Sequence, residues 1–219
     1  MTFAEELLLL ALDPDTGKFH PLPRMSLELS LAGALLLELA FQEAIDTEPG
    51  TVVILKDRIK RSDFLDAALQ TLRQGQDRIP LQQALARLGL QGHTLIRRTL
   101  QRLVGQGVLA EKDDSFLWIK RPLRHPVAHG ETYDNVVDRI RVLALDPEEI
   151  PEPHDVVLVA LAEGCKLHRL LFTPEEYEQC RERLKMIAGM DFVGQAIVEA
   201  VHGIGDHSLL ELAADETVS

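Results

Sequence analysis

The sequence predicts a mainly α fold, a helical core of about eight to ten helices with one projecting β-hairpin. Three observations carry that expectation. Aromatic residues make up only 5% of the 219 residues, so a chain that is 46% apolar must fill its core with Leu, Ala, Val and Ile, which favours helices. Apolar helical segments are separated by short breaks rich in Pro, Gly and Asp. Runs of strand character are too few for a sheet-based fold.

The elements follow in order. Thr2 caps a first helix from about Phe3 to Leu12, with Glu5 and Glu6 in its first turn. Asp13-Pro14-Asp15-Thr16-Gly17 is a turn, and Lys18 to Arg24, with two prolines, is an irregular loop. Ser26 opens a second helix to about Glu43, apolar nearly all round and therefore central. After the turn Glu48-Pro49-Gly50, the β-branched run Thr51 to Leu55 is a strand candidate. Ser62 or Asp63 caps a helix over Phe64 to Leu72, and Gly75 with Pro80 separates it from another over 81–88. His93 to Val104 is a helix ended by Gly105 and Gly107. Val108 to Glu111, the turn residues Asp113-Asp114, and Ser115 to Ile119 read as a hairpin, followed by a basic loop from Lys120 to Val127. Helices at about 131–145, 153–163, 174–188 and 191–203 complete a single domain over 1–205, with an acidic, frayed tail over 206–219.

Charge is unevenly placed. The net charge is −12, yet Lys56 to Arg124 holds 14 Lys and Arg against 7 Asp and Glu, while the rest holds 9 against 28. A basic middle in an acidic chain points to one face that meets an anionic partner. Two cysteines, Cys165 and Cys180, suit a reducing cytosol. The start lacks the basic stretch of a secretory signal, and Leu7 to Leu12 is too short to span a bilayer. Segment 27–41 is interrupted by Glu28 and Glu38. The expected location is therefore cytoplasmic, with peripheral membrane contact.

Catalytic signatures are missing. The chain contains no phosphate-binding glycine loop, nucleophile elbow or zinc-protease helix. His125 and His129 have helical metal spacing, but Pro122 and Pro126 oppose a helix there. Cys165, His168 and Cys180 read as two buried thiols and a surface histidine. The expectation is a non-enzyme without cofactor or metal.

The stretch from His93 to Val127 has two readings. Arg97, Arg98 and Arg102 on a helix before a two-stranded wing resemble a winged helix–turn–helix facing DNA. The pI near 5.1 counts against nucleic acid. In the second reading the hairpin itself makes the contact. Phe116, Leu117, Trp118 and Ile119 abut Lys120, Arg121 and Arg124, with the chain's single Trp at their centre. Apolar residues beside cations suit the headgroup region of an anionic membrane. Three such cations supply only about 3 kcal/mol. A specific lipid contact, or oligomerisation through the hairpin, is needed to hold firmly.

The order of several pieces resembles the Golgi phosphoprotein 3 family, whose members include a yeast sorting homologue and short bacterial relatives. These pieces are Glu5-Glu6-Leu7-Leu8-Leu9-Leu10 with the Asp-rich turn to Gly17, and Leu31-Ala32-Gly33-Ala34-Leu35-Leu36-Leu37-Glu38-Leu39-Ala40. Gly107-Val108-Leu109, His125-Pro126-Val127 and Asp155-Val156-Val157-Leu158-Val159-Ala160-Leu161 follow in the same order. The resemblance covers nearly the whole chain. It implies a non-enzymatic, cytosolic peripheral membrane adaptor that binds phosphatidylinositol 4-phosphate and, in eukaryotes, retains glycosyltransferases by their cytosolic tails. The family's headgroup tryptophan falls near Pro23, where this chain has none, and three of its arginines fall on Ala32, His93 and Ile96. A further basic position matches as Arg98. The basic N-terminal extension of eukaryotic members has no counterpart, which places the chain nearest the bacterial branch. The expected phosphate contacts are Arg98, Arg97, His93 and Arg24, and the expected ligand is phosphatidylinositol 4-phosphate or another anionic lipid.

Overall fold

Eight consecutive residues, Phe3 to Leu10, form helix α1, and every one of them is buried, including Glu5 and Glu6. The structure, a computed structural model, describes residues 1–23, 25–48, 50–60, 62–111, 124–128 and 130–190. A capping box starts α1: Thr2 Oγ1 accepts from the Glu5 N–H, and the Glu5 carboxylate accepts from the Thr2 N–H. The helix stops at Leu10, two residues earlier than the sequence suggests, because Leu12 leaves it to pair with Phe19 in an antiparallel bridge.

Helix α2 (Ser26–Phe41) is buried on nearly all sides and is central, as its composition requires. Around it stand α1, α3 (Asp63–Arg73), α4 (Leu81–Gly89), α5 (Gly92–Gly105) and α7 (Pro153–Gly164). The helices α6 (Gly130–Leu145), α8 (His168–Leu171) and α9 (Pro174–Ala188) complete the α7 side, with α9 packed on both α6 and α7. Buried side chains from all these layers form one continuous apolar cluster. Pro174 at the first position of α9 and the Thr173–Glu176 capping box set its start where proline and threonine predict it.

A small antiparallel sheet flanks the bundle in the order β1 (Ile45–Glu48), β2 (Thr51–Ile54), β3 (Arg78–Pro80). Ile45 lies opposite Ile54, and Val52 opposite Ile79. Only β2 is legible beforehand. β1 is as short as β2 but carries Asp46, Thr47 and Glu48 in place of a Val-Val-Ile run, β3 has three residues, and both exist because β2 offers hydrogen-bonding edges on its two sides.

At the base of the predicted hairpin, residues 108–110 pair with 126–128. Leu109 pairs with Val127. The Ala110 N–H donates to Pro126 O and the Ala128 N–H to Val108 O, each at 2.9 Å. The end of the expected Lys120–Val127 loop is therefore the partner of 108–110. The strand Ser115–Ile119, the contact residues Phe116, Leu117, Trp118, Ile119, Lys120 and Arg121, the helix 191–203 and the tail 206–219 lie outside the described residues. Among the described residues, no helix is long and apolar enough to cross a membrane.

Candidate functional site

Helix α5 sorts its residues by period. Gly92, Leu95, Thr99 and Leu103, stepping by three and four, are buried, while His93, Arg97, Arg98, Gln101 and Arg102 are exposed on the other side. A four-residue step stacks Arg98 under Arg102 and His93 under Arg97, so the two pairs point in different directions. Arg98, Gln101 and Arg102 form one wall of a groove of about 730 Å³. Glu38 and Gln42 from the end of α2, and Ser62, Asp63, Phe64 and Leu65 from the start of α3, face them. His93 and Arg97 do not line the groove. Arg24 lies outside the described residues.

The two arginines of the groove differ in what they touch. Arg102 Nε donates to Glu5 Oε1 at 3.0 Å, and Gln106 Nε2 reaches the same oxygen at 2.9 Å. Burial alone would push the Glu5 carboxyl up, but the Thr2 N–H, Arg102 and Gln106 together hold it below the ordinary carboxylate range. Glu38 sits beside it with one partner, the Phe3 N–H at 2.8 Å. Burial, with the Glu5 charge nearby, raises its pKa. Arg98 is exposed and makes no ion pair among the described residues, and the same holds for Arg97.

That matters because several other described arginines are engaged within the fold. Arg73 pairs with Asp57 at 2.7 Å, Arg78 pairs with Glu48, and Arg87 is buried with its Nη1 on Leu72 O at 3.0 Å. The excess of cations between Lys56 and Arg124 is thus partly spent inside the molecule. The exposed cations without an ion pair among the described residues there include Arg58, Lys60, Arg97 and Arg98.

A second charged cluster ties α1 to the far helices. Glu6 accepts from Arg139 Nη2 at 3.0 Å and lies 2.8 Å from His154 Nε2. Arg139 Nε donates to Asp155 at 2.9 Å, and the His154 ring stacks on Phe3 with centroids 4.4 Å apart. Burial raises the Glu6 pKa, and the His154 and Arg139 contacts outweigh it to leave the pKa lowered. With Glu5 bonded to α5 and Glu6 to α6 and α7, adjacent carboxylates clamp three helices onto α1.

The remaining candidates fall as follows. Arg124 is half-buried at the base of the hairpin, and His125 lies beside it, its pKa lowered by burial. Helix α6 begins only at Gly130, so His125 is not on a helix and the metal spacing with His129 does not apply. Cys165 and Cys180 are buried free thiols. His168 departs from expectation: its side chain is 13% exposed, stacked on Tyr177 at 4.1 Å and 3.2 Å from Glu163. Among the described residues, no group of three His, Cys, Asp or Glu is placed to hold a metal ion.

The sequence matches the family model for Golgi phosphoprotein 3 over residues 3–204. The chain belongs to the Golgi phosphoprotein 3 family. No curated protein matches it. The positions on which the resemblance sets the family's headgroup arginines have the following surroundings. Ala32 is fully buried, Ile96 is half-buried and His93 is exposed. Gly92 abuts the methylenes of Glu28 so closely that a Cβ there would collide with them. A carboxylate-bearing residue therefore stands at the start of α5, while Arg97 and Arg98 lie at the middle of the helix and Arg102 in its last turn. The groove partners Glu38, Ser62 and Gln101 were not anticipated. The four-residue spacing of Arg98 and Arg102 could have signalled a common wall, but nothing local in the sequence brings the start of α3 opposite them.

Proposed function

We propose that this member of the Golgi phosphoprotein 3 family is a non-enzymatic peripheral membrane adaptor that recognises anionic lipid. The contact consists of the exposed arginines of α5 together with the segment Phe116 to Arg124. The observation that carries this reading is that Arg97 and Arg98 remain exposed and without an ion pair among the described residues, in a chain of net charge −12 that pairs many of its other arginines. Arginines left open in an acidic protein are available to phosphates, which they bind through a planar fork of donors. Arg98 lies seven residues before the end of α5 at Gly105, about 10 Å along the helix axis, so the basic face leads toward the hairpin base.

Ala32, Ile96 and Glu28 favour an anionic lipid in general over phosphatidylinositol 4-phosphate in particular. An apolar side chain offers nothing to a phosphate, and a carboxylate repels it. Sedimentation with vesicles tests the proposal. The full chain should pellet with phosphatidylcholine vesicles that carry phosphatidylglycerol and remain in solution with phosphatidylcholine alone. Vesicles doped with phosphatidylinositol 4-phosphate at matched charge should give no added binding. Changing Trp118→Ala, Lys120→Glu and Arg121→Glu together should abolish pelleting. Equal pelleting of the triple variant, or none by the parent at moderate salt, contradicts the proposal.

A further inference from the structure

Away from the α5 face, the turn after α1 meets the base of the hairpin at close backbone range. Asp13 organises the turn: its Oδ1 accepts from the Thr16 N–H at 2.7 Å and the Thr16 hydroxyl at 2.6 Å, and its carbonyl accepts from the Gly17 N–H at 2.8 Å. The turn then serves as a docking edge. The His125 N–H donates to Gly17 O at 3.1 Å, and the Val127 N–H donates to Pro14 O at 3.0 Å. On its other side the same short segment pairs with Val108 and Ala110. Residues 125–128 are therefore held between two backbone partners, one from each side.

Gly17 is the residue that permits this. It is buried, its φ of +65° is one that L side chains rarely adopt, and a Cβ would fall under 3.0 Å from backbone atoms of His125 and Pro126. Because the clashing atoms are backbone, no side-chain rotation relieves them. Gly107, Gly50 and Gly75 also have positive φ, but a Cβ on any of them meets nothing within 4 Å. The demand for glycine at position 17 is thus one of close approach as well as of conformation.

We propose that Gly17 is the positioning residue for the Leu109–Val127 connection: the turn from Asp13 to Gly17 braces the base from which the intervening segment leaves the helical core. For its consequence at a membrane this rests on the proposed lipid contact of that segment; the brace itself does not depend on that reading. It follows that the first helix and the hairpin base move as one unit, since only Ala11, Leu12 and the turn separate α1 from the brace.

The test is amide hydrogen exchange on the full chain, followed by mass spectrometry, for Gly17→Ala, Gly107→Ala and Asp13→Ala. Gly17→Ala should speed exchange about tenfold in peptides covering 108–111 and 124–128, while peptides from α2 and α7 keep their protection. Gly107→Ala imposes the same backbone strain without a clash and should leave 124–128 as in the parent. Should Gly17→Ala unfold the core, Asp13→Ala, which loosens the turn without adding atoms, should give the same local effect in weaker form. Unchanged exchange over 124–128 in both Gly17→Ala and Asp13→Ala, or an equal change in Gly107→Ala, overturns the proposal. Vesicle binding by Gly17→Ala is the second readout and should fall severalfold with the core intact. If the parent binds phosphatidylglycerol vesicles and Gly17→Ala binds them equally despite faster exchange, the positioning role is refuted. If the parent binds none, the lipid reading fails and exchange alone decides the brace.

Discussion

Leu109 and Val127 face each other across an antiparallel bridge at the base of the basic segment. Trp118 stands nine residues from each of them in the sequence. The proposed contact residues Phe116 to Lys120 therefore centre on the middle of the connection. Because Trp118 is the only tryptophan, its fluorescence reports on that place alone. Emission should shift to the blue on addition of phosphatidylglycerol vesicles and stay unchanged with phosphatidylcholine. An unchanged spectrum with both would contradict membrane contact by this segment.

The clamp on Glu6 should be worth a measurable part of the stability. Glu6→Gln leaves Arg139 and His154 facing a neutral amide. Removing one partner of a buried pair costs about 3–5 kcal/mol, less where the other partner is wetted, and the Arg139 side chain is 41% exposed. The expected loss is about 2 kcal/mol, or roughly 4–8 °C in Tm. Thermal unfolding followed by circular dichroism measures it, and a change below half a kilocalorie would refute the clamp.

Glu38 should behave in the opposite way. Its carboxyl is raised by burial, so the folded state disfavours the ionised form, and the penalty sets in as pH rises past the ordinary carboxylate range. Glu38→Gln keeps an acceptor for the Phe3 N–H and removes the charge. The variant should equal or exceed the parent in stability at pH 7 and lose that advantage below about pH 4. A clear destabilisation at pH 7 would count against this assignment.

Acid should expose the sign difference between these groups. Glu5 and Glu6 have lowered pKa values in the fold, so their contribution is present at neutral pH and is lost as pH falls through those values. Denaturant unfolding at stepped pH should therefore show the cost of Glu6→Gln shrinking toward zero in strong acid. A cost that is independent of pH would indicate lost packing rather than lost charge pairing.

Cys165 should be inert. Its thiol is fully buried, donates to Ser26 O at 3.5 Å, and is pushed up to about 12. Cys180 is also buried and raised. Neither should react with a thiol reagent at pH 8 in the native protein, and both should react after denaturation. Fast native labelling of Cys165 would contradict its placement.

Much of this fold was legible because composition and period agree. The all-round apolar run from Leu27 to Leu39 could only be a central helix, and Thr173-Pro174 marked the start of α9 to the residue. Glu5 and Glu6 were misleading in an instructive way. As first-turn acids they look like solvent-facing dipole partners, yet both are buried, because Arg102, Arg139 and His154 arrive from about 100 to 150 residues away in sequence. The groove was half legible. Arg98 and Arg102 share a face by local geometry, whereas Ser62 and Glu38 reach it only through packing. The Gly17 edge that fixes 125–128 was not legible, because it is tertiary.

Binding of the full chain to phosphatidylcholine vesicles with stepwise increasing phosphatidylglycerol, at about 0.15 M salt, tests the central claim most directly. Partitioning should rise steeply with anionic content, and the pair Arg97→Glu and Arg98→Glu should weaken it at least about tenfold with Tm unchanged, since each cation near such a surface contributes about 1 kcal/mol. Binding that ignores the anionic fraction, or that survives both charge reversals, would contradict the claim.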